Sequence, residues 1–381
     1  MTPPAAADLL AMAGEQVLMA ARSVWPGAEV VPGPVTPSVT SYVQRLTIDG
    51  RDLYAKVSVC GVSLVSLLRG ACGDLATVRA RQAAYLVSPD SLMAREAVQL
   101  RTLAGPAGLR TVALAGYARG VLFTEPVTGP TLTDLIAAEP GRTRELLGLV
   151  VRDVAEGLAR EGVAEAVESA PIRERGISGT FARKFNGLSG PVYLRQTGHG
   201  EVLQTVATRL RRTRRIPPTP AGTVVFGDLK PEHATFPADG GRPVYLDPGL
   251  MRGHEVADTA KLISRMALGL VACRPAAVGV ILSGLDSFVR ASARRLPADE
   301  RTGWMRELVL LVLMDTLNIL TTYLTAPADL PLSAHAAGVR DRARHVTTLL
   351  DHATAPLAAT EDGATWWRLY LTRVREAVAA P

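Results

Sequence analysis

The stretch from residue 223 to 249 restricts what this chain can become more than any other part of it. An apolar run, Val224-Val225-Phe226, ends in Gly227-Asp228-Leu229-Lys230-Pro231-Glu232-His233. A second strand passes through Thr235 and Phe236, turns at Asp239-Gly240-Gly241, returns as Val244-Tyr245-Leu246 and ends in Asp247-Pro248-Gly249. A strand that stops at Gly or Pro points the next side chains off the sheet into open space. Asp228 and Asp247 therefore stand at the ends of neighbouring strands, 19 positions apart, with His233 between them in sequence. Two acids so placed can divide labour: one accepts a hydrogen bond from a hydroxyl, the other binds a hard cation through oxygen. A Gly-Asp pair alone is an ordinary turn; the run through His233 and the spaced Asp247 lift this one above that.

The rest of the chain divides by pattern. Up to about residue 124 it carries strand signals: a loose alternation over 43–48, the tight-turn pair Asp49-Gly50, and a clean alternation over 53–57. In that last run Leu53, Ala55 and Val57 face one way, Tyr54 and Lys56 the other. Helical spacing follows over 61–88. A clearer helix at about 89–104 comes next, stopped by Gly105-Pro106, and then strand-like runs at 111–117 and 120–124. From Glu125 onward the pattern is helical, with helices expected at 143–160, 256–273, 278–294, 304–324 and 336–352 and near the carboxyl end. The Pro-rich patch at Pro217, Pro218 and Pro220 reads as a loop into the strand-rich island. A small sheet lobe joined to a larger helical lobe leaves a cleft between them, where a ligand can be enclosed. The division expected is 1–124 and 125–381.

The island resembles the catalytic segment of the protein-kinase-like fold, and most closely the aminoglycoside phosphotransferase and choline-kinase-like branch. Gly227 to His233 is similar to that branch's HGDLHPGN loop and to the HRDLKPEN loop of protein kinases, and Asp247-Pro248-Gly249 stands where those families carry a metal-binding aspartate. The gap from His233 to Asp247, 14 positions, is typical of the fold. Asp258 resembles the structural aspartate that opens the next helix. Lys56 is similar to the third-strand lysine that neutralises nucleotide phosphates, and Glu96 to the glutamate that orients it. The segment 121–125, with Glu125, followed by Gly129-Pro130-Thr131-Leu132, resembles the connector between lobes.

The resemblance implies an α+β, bilobal protein-kinase-like fold, with a small antiparallel-sheet lobe that binds nucleotide and a large, mainly helical lobe. It implies a kinase using ATP or GTP with Mg²⁺. Asp228 would receive the acceptor's proton, Lys230 would touch the γ-phosphate, Lys56 and Glu96 would tether the nucleotide, and Asp247 would hold the metal. The chain departs from the pattern at four places. Phe226 replaces the loop's first histidine. His233 replaces the asparagine that serves as second metal ligand, and imidazole suits Mg²⁺ poorly. Lys56 and Glu96 lie 40 positions apart, which implies an insertion at about 61–88. The turn over the phosphates, Thr36-Pro37-Ser38-Val39-Thr40-Ser41, has no glycine and would cover them with hydroxyls and amides, Ser38, Thr40 and Ser41 among them.

Simpler readings compete. Lys56 alone is an ordinary strand lysine, Glu96 a surface helix charge with Arg95 or Arg101 as partner, and His233 a satisfied structural histidine. Arg209, Arg211, Arg212, Arg214 and Arg215 form a solvated face, or a dock for an acidic peptide or partner protein. The net charge of +6 permits an anionic acceptor, and without aromatic interleaving no nucleic acid is expected. With 48% hydrophobic residues the chain is not disordered, and three cysteines without CxxC spacing suit a reducing cytoplasm rather than a disulfide framework. The apolar stretch 308–324 is broken by Asp315 and Asn318, so a buried core helix is expected rather than a membrane span. Three functions fit: a kinase of a small-molecule hydroxyl, a Ser/Thr kinase of a ribosomal precursor peptide working with a lyase, and a non-catalytic pseudokinase module.

Overall fold

The computed structural model describes residues 2–169, 174, 176–187, 190–214, 222–359 and 361–381. The alternating runs of the amino-terminal part pair as a five-stranded antiparallel sheet. Its strands are β1 (Val30–Thr36), β2 (Tyr42–Ile48), β3 (Arg51–Val57), β4 (Leu114–Ala118) and β5 (Val121–Thr124), in the order β1-β2-β3-β5-β4. Asp49 and Gly50 both take positive φ, 48° and 78°, as the two-residue turn between β2 and β3 requires. The pair Arg119 and Gly120 repeats the device between β4 and β5, with φ of 48° and 70°.

Period-two alternation gives this sheet two faces. Tyr42, Leu46, Leu53, Ala55, Val57 and Phe123 turn toward α1 (Ala6–Val24), whose Leu9, Met12, Ala13, Val17 and Ala20 line its buried side. This helix was not among the elements expected from sequence, although its apolar residues recur at three- and four-residue steps. The segment between β3 and the next long helix folds as α2 (Leu64–Leu68) and α3 (Leu75–Leu86). Leu64, Val65, Leu67 and Leu68 of α2 join the same core. On the opposite face, α4 (Leu92–Ala104) packs Met93, Ala97 and Leu100 against Leu122. Gly105 ends α4 as expected.

The helical lobe holds α5 (Leu132–Ala138), α6 (Thr143–Leu158), α7 (Val163–Ser169), α8 (Ile177–Lys184), α9 (Gly190–Arg195), α10 (Gly200–Thr213), α11 (Val256–Cys273), α12 (Val278–Arg294), α13 (Glu300–Leu324), α14 (Ala334–Asp341), α15 (Ala343–Thr354) and α16 (Gly363–Ala379). The expected single helix at 336–352 is two, meeting at Arg342. α13 is long and apolar enough to cross a membrane by composition alone, but 78% of that window is buried within the protein. It is the lobe's central core helix, packed on α8, α11, α14, α15 and α16. The island supplies β6 (Thr223–Val225), β7 (Ala234–Thr235), β8 (Val244–Tyr245) and β9 (Met251–Gly253), paired as β6–β9 and β7–β8. The architecture is thus α+β and bilobal, a small antiparallel-sheet lobe joined to a large, mainly helical one. The Pro-rich patch and Arg215 lie outside the described residues.

Candidate active site

β3 carries Lys56 on the face opposite the α1 core, because its neighbours Ala55 and Val57 are fully buried there. Its Nζ lies 2.9 and 2.8 Å from the two carboxylate oxygens of Glu96 on α4, and 2.9 Å from Oδ1 of Asp247 in the helical lobe. Sequence reasoning named all three, and the structure brings them together across the lobes. Burial alone would lower the ammonium; Asp247 and then Glu96 reverse this and hold it above the usual lysine range. Burial likewise pushes Glu96 up, to about 7, with Lys56 opposing. One cation here serves two carboxylates.

Asp228 is aimed by its neighbours. Gly227 takes φ of 79°, and a Cβ there would lie 2.0 Å from the carbonyl oxygen of Gly249, so only glycine fits. The amides of Phe226 and Gly227 donate to the Asp258 carboxylate at 2.8 and 2.7 Å, which gives this aspartate the structural place expected of it. Burial raises Asp258 to about 6 in spite of those two bonds. The Asp228 carboxylate pairs with Lys230 Nζ at 2.7 Å and with Lys261 Nζ at 3.1 Å. Burial penalises its charge, yet Lys230 and Lys261 hold it well below the usual carboxylate range.

Lys261 was not singled out in the sequence. It continues to Asp315 of α13 at 3.3 Å, and Asp315 also receives Arg265 at 3.0 Å and the Ser264 hydroxyl at 2.5 Å. Only 2% of Asp315 is exposed, so all of its charge is met within the protein. The legible signal is the spacing Asp258, Lys261, Arg265, which places three charged residues on one face of α11.

Asp247 itself takes a positive φ of 49°, rare for an aspartate. Burial opposes its charge, but Lys56, then His233 and Lys230, hold its carboxyl well below the usual range. The loop after it is tied twice: Gly249 N–H donates to the Phe226 carbonyl at 2.9 Å, and Leu250 N–H to Oε1 of the buried Gln99 on α4 at 3.0 Å. His233 is 7% exposed, with Nδ1 3.1 Å from the Asp228 carbonyl and Nε2 3.7 Å from Asp247 Oδ2.

The remaining expected residues fare unequally. In the turn between β1 and β2, Ser38 Oγ accepts from the amides of Thr40 and Ser41 at 3.2 and 3.4 Å and lies 3.3 Å from Thr40 Oγ1. Two amides at the start of α2, those of Leu64 and Val65, donate to the Thr40 and Val39 carbonyls at 3.2 and 3.3 Å. The glycine-free turn and the insertion are therefore one feature, since inserted residues brace the turn. Glu125 stands beyond the Tyr54–Thr124 rung, away from Lys56; its side chain meets Arg51 and its amide donates to the Ala113 carbonyl at 3.0 Å. Of the arginine run, Arg209 pairs with Asp351 at 2.6 Å, Arg211 donates to the Phe185 carbonyl, and Arg214 lies against Met314. Those three tie the lobe to itself.

Among the described residues no three His, Cys, Asp or Glu side chains converge as a metal site of their own. A cavity of about 630 Å³ lies behind the Asp228 loop, lined by Val224, Leu229, Asp258, Arg152, Arg295 and Trp304. It reaches neither Lys56 nor Asp247.

No protein-family model matches the chain, and no curated protein matches it. Among solved structures it is similar to an aminoglycoside-3'-phosphotransferase of type VIII, at 20% identity and TM-score 0.42, over 80% of this chain and 99% of that one. It is similar to an ethanolamine kinase of Plasmodium vivax at 10% identity and TM-score 0.46, over 84% of each chain. It is also similar to a spectinomycin phosphotransferase in complex with ADP and spectinomycin, at 8% identity and TM-score 0.48, over 88% of this chain and 98% of that one.

Proposed function

We propose that this protein is a nucleotide-dependent phosphotransferase that moves the γ-phosphate of ATP or GTP to a hydroxyl of a small molecule, with residues 1–124 as nucleotide lobe and 125–381 as catalytic lobe. The observation that carries the reading is Lys56, delivered from the sheet lobe and held between Glu96 and Asp247. Phosphoryl transfer asks a protein mainly to position groups and neutralise charge, and this cluster is built for both.

Asp228 orients the acceptor hydroxyl. As the hydroxyl oxygen bonds to the γ-phosphorus, the bridging P–O bond breaks, the nucleoside diphosphate leaves and the hydroxyl proton passes to Asp228. A carboxylate held this low by Lys230 and Lys261 is a weak base. It takes the proton late, as a loose transition state allows. Lys56 neutralises phosphate charge, and Lys230, paired with Asp228 at 2.7 Å, would touch the transferred group. The donor set fits a divalent cation, with Asp247 and the Nε2 of His233 as protein ligands; once bound, the ion supplies charge neutralisation on the phosphates.

A peptide acceptor docked on the arginine run finds less support, because Arg209, Arg211 and Arg214 already have partners. The test is phosphorus NMR of the protein with ATP or GTP, Mg²⁺ or Mn²⁺ and a panel of alcohols, sugars and hydroxy acids. One phosphomonoester should form per nucleoside diphosphate released. A panel that yields neither ester nor diphosphate, from a protein that still binds nucleotide, favours the non-catalytic reading.

A further inference from the structure

Two electron-pair donors face each other in the cleft with no donor between them. The partner of His233 Nδ1 is a carbonyl oxygen, 3.1 Å away on Asp228, and a carbonyl can only accept. Nδ1 therefore carries the ring proton, and the lone pair sits on Nε2. Nε2 lies 3.7 Å from Asp247 Oδ2.

The neighbouring cations are committed elsewhere. Lys56 holds Asp247 through its other oxygen, Oδ1, together with Glu96. Lys230 holds Asp228. Adjacent ligands of a six-coordinate ion lie roughly 3 Å apart, so the two groups would draw together from 3.7 Å on binding. Nδ1 donating to a backbone carbonyl is also how metal-binding histidines are commonly held in tautomer and orientation.

We propose that His233 Nε2 and Asp247 Oδ2 are the protein's share of a divalent-cation site that prefers a first-row transition ion of the manganese or cobalt kind to magnesium. Nucleotide phosphates complete the ligand set, so the inference rests on the phosphotransferase reading. A nitrogen donor costs magnesium more than it costs manganese, because magnesium binds oxygen almost exclusively. The ribbon of oxygens that phosphates add keeps the site from being a zinc site of the all-nitrogen and sulfur type.

Titration of the full chain with Mn²⁺ and a non-hydrolysable ATP or GTP analogue, followed by the free-Mn²⁺ electron paramagnetic resonance signal, measures the affinity; competition with Mg²⁺ measures the preference. Pulsed resonance on the bound ion is expected to show nitrogen-14 coupling from a ring nitrogen. His233→Asn should abolish that coupling and shrink the Mn²⁺-over-Mg²⁺ preference by about tenfold, a loss typical of altered metal ligands. Asp247→Asn, which leaves the imidazole in place, should weaken both ions. Bound Mn²⁺ without nitrogen coupling in the unmodified protein, or an unchanged preference in the asparagine variant, overturns the proposal while leaving the kinase reading intact. If the unmodified protein binds no nucleotide analogue with any metal, both fall together.

Discussion

The two sides of the cleft are built on opposite charge plans. On the sheet-lobe side a single cation, Lys56, is shared by Glu96 and Asp247. On the helical-lobe side three cations, Lys230, Lys261 and Arg265, share two carboxylates, Asp228 and Asp315. The first arrangement has room for another positive charge and the second for a negative one. Under the proposed function a metal would belong with Asp247, and an anionic acceptor group near Asp228. The sides also differ in how they are held. Asp315 is fixed by three groups of α11, Lys261, Ser264 and Arg265, whereas Lys56 depends on a helix from its own lobe and a loop from the other.

That contrast is open to attack at several points. The largest stability effect is expected from Asp315→Ala, which strips a fully buried carboxylate from Lys261 and Arg265 and should cost about 3–5 kcal/mol in denaturant unfolding. A loss under about 1 kcal/mol would mean that the helical-lobe network is not what holds α11 to α13. Next comes a matched pair. Lys56→Met leaves Glu96 and Asp247 facing each other and should cost about 2 kcal/mol, discounted for the exposure of Asp247. Lys261→Met leaves each of its carboxylates another cation, and should cost about half as much. The reverse order would break the comparison.

Acid should then act on both sides at once. Asp228 and Asp247 are held below their unfolded values, so their contribution is fully present above about pH 4 and is lost as pH falls below it. Melting temperature should drop along that limb, less steeply in Asp228→Asn. The smallest effect is assigned to Arg211→Ala, at about 0.5–1 kcal/mol for one exposed donor to the Phe185 carbonyl, with no change in phosphoryl transfer. A large loss of transfer there would restore the arginine run as a substrate dock.

How much of this was legible depended on how local each signal is. Asp228 and Asp247 each stand beside a Gly or Pro that ends a strand, and Lys56 follows a DG hairpin, so neighbours within a few positions announce them. Lys261 and Asp315 are partners 54 positions apart. Lys261 reads as one more helix charge, and Asp315 as an interruption of an apolar run. Their meaning is set by which helices pack, and no local pattern states that. The turn at 36–41 was legible as lacking glycine and the segment 61–88 as inserted, but only the hydrogen bonds from α2 reveal that one compensates the other. α1 carries a clear helical spacing, but it precedes a segment rich in strand signals, which mask it.

The proposed function requires that acids from one lobe and a lysine from the other meet in order to move phosphate. A single-turnover measurement on the unmodified protein and on Asp228→Asn tests it most directly, with nucleotide occupancy recorded on the same samples. Equal occupancy is expected, with transfer slowed by about 10²–10⁴-fold in the variant. Equal rates in the two proteins at equal occupancy would contradict it.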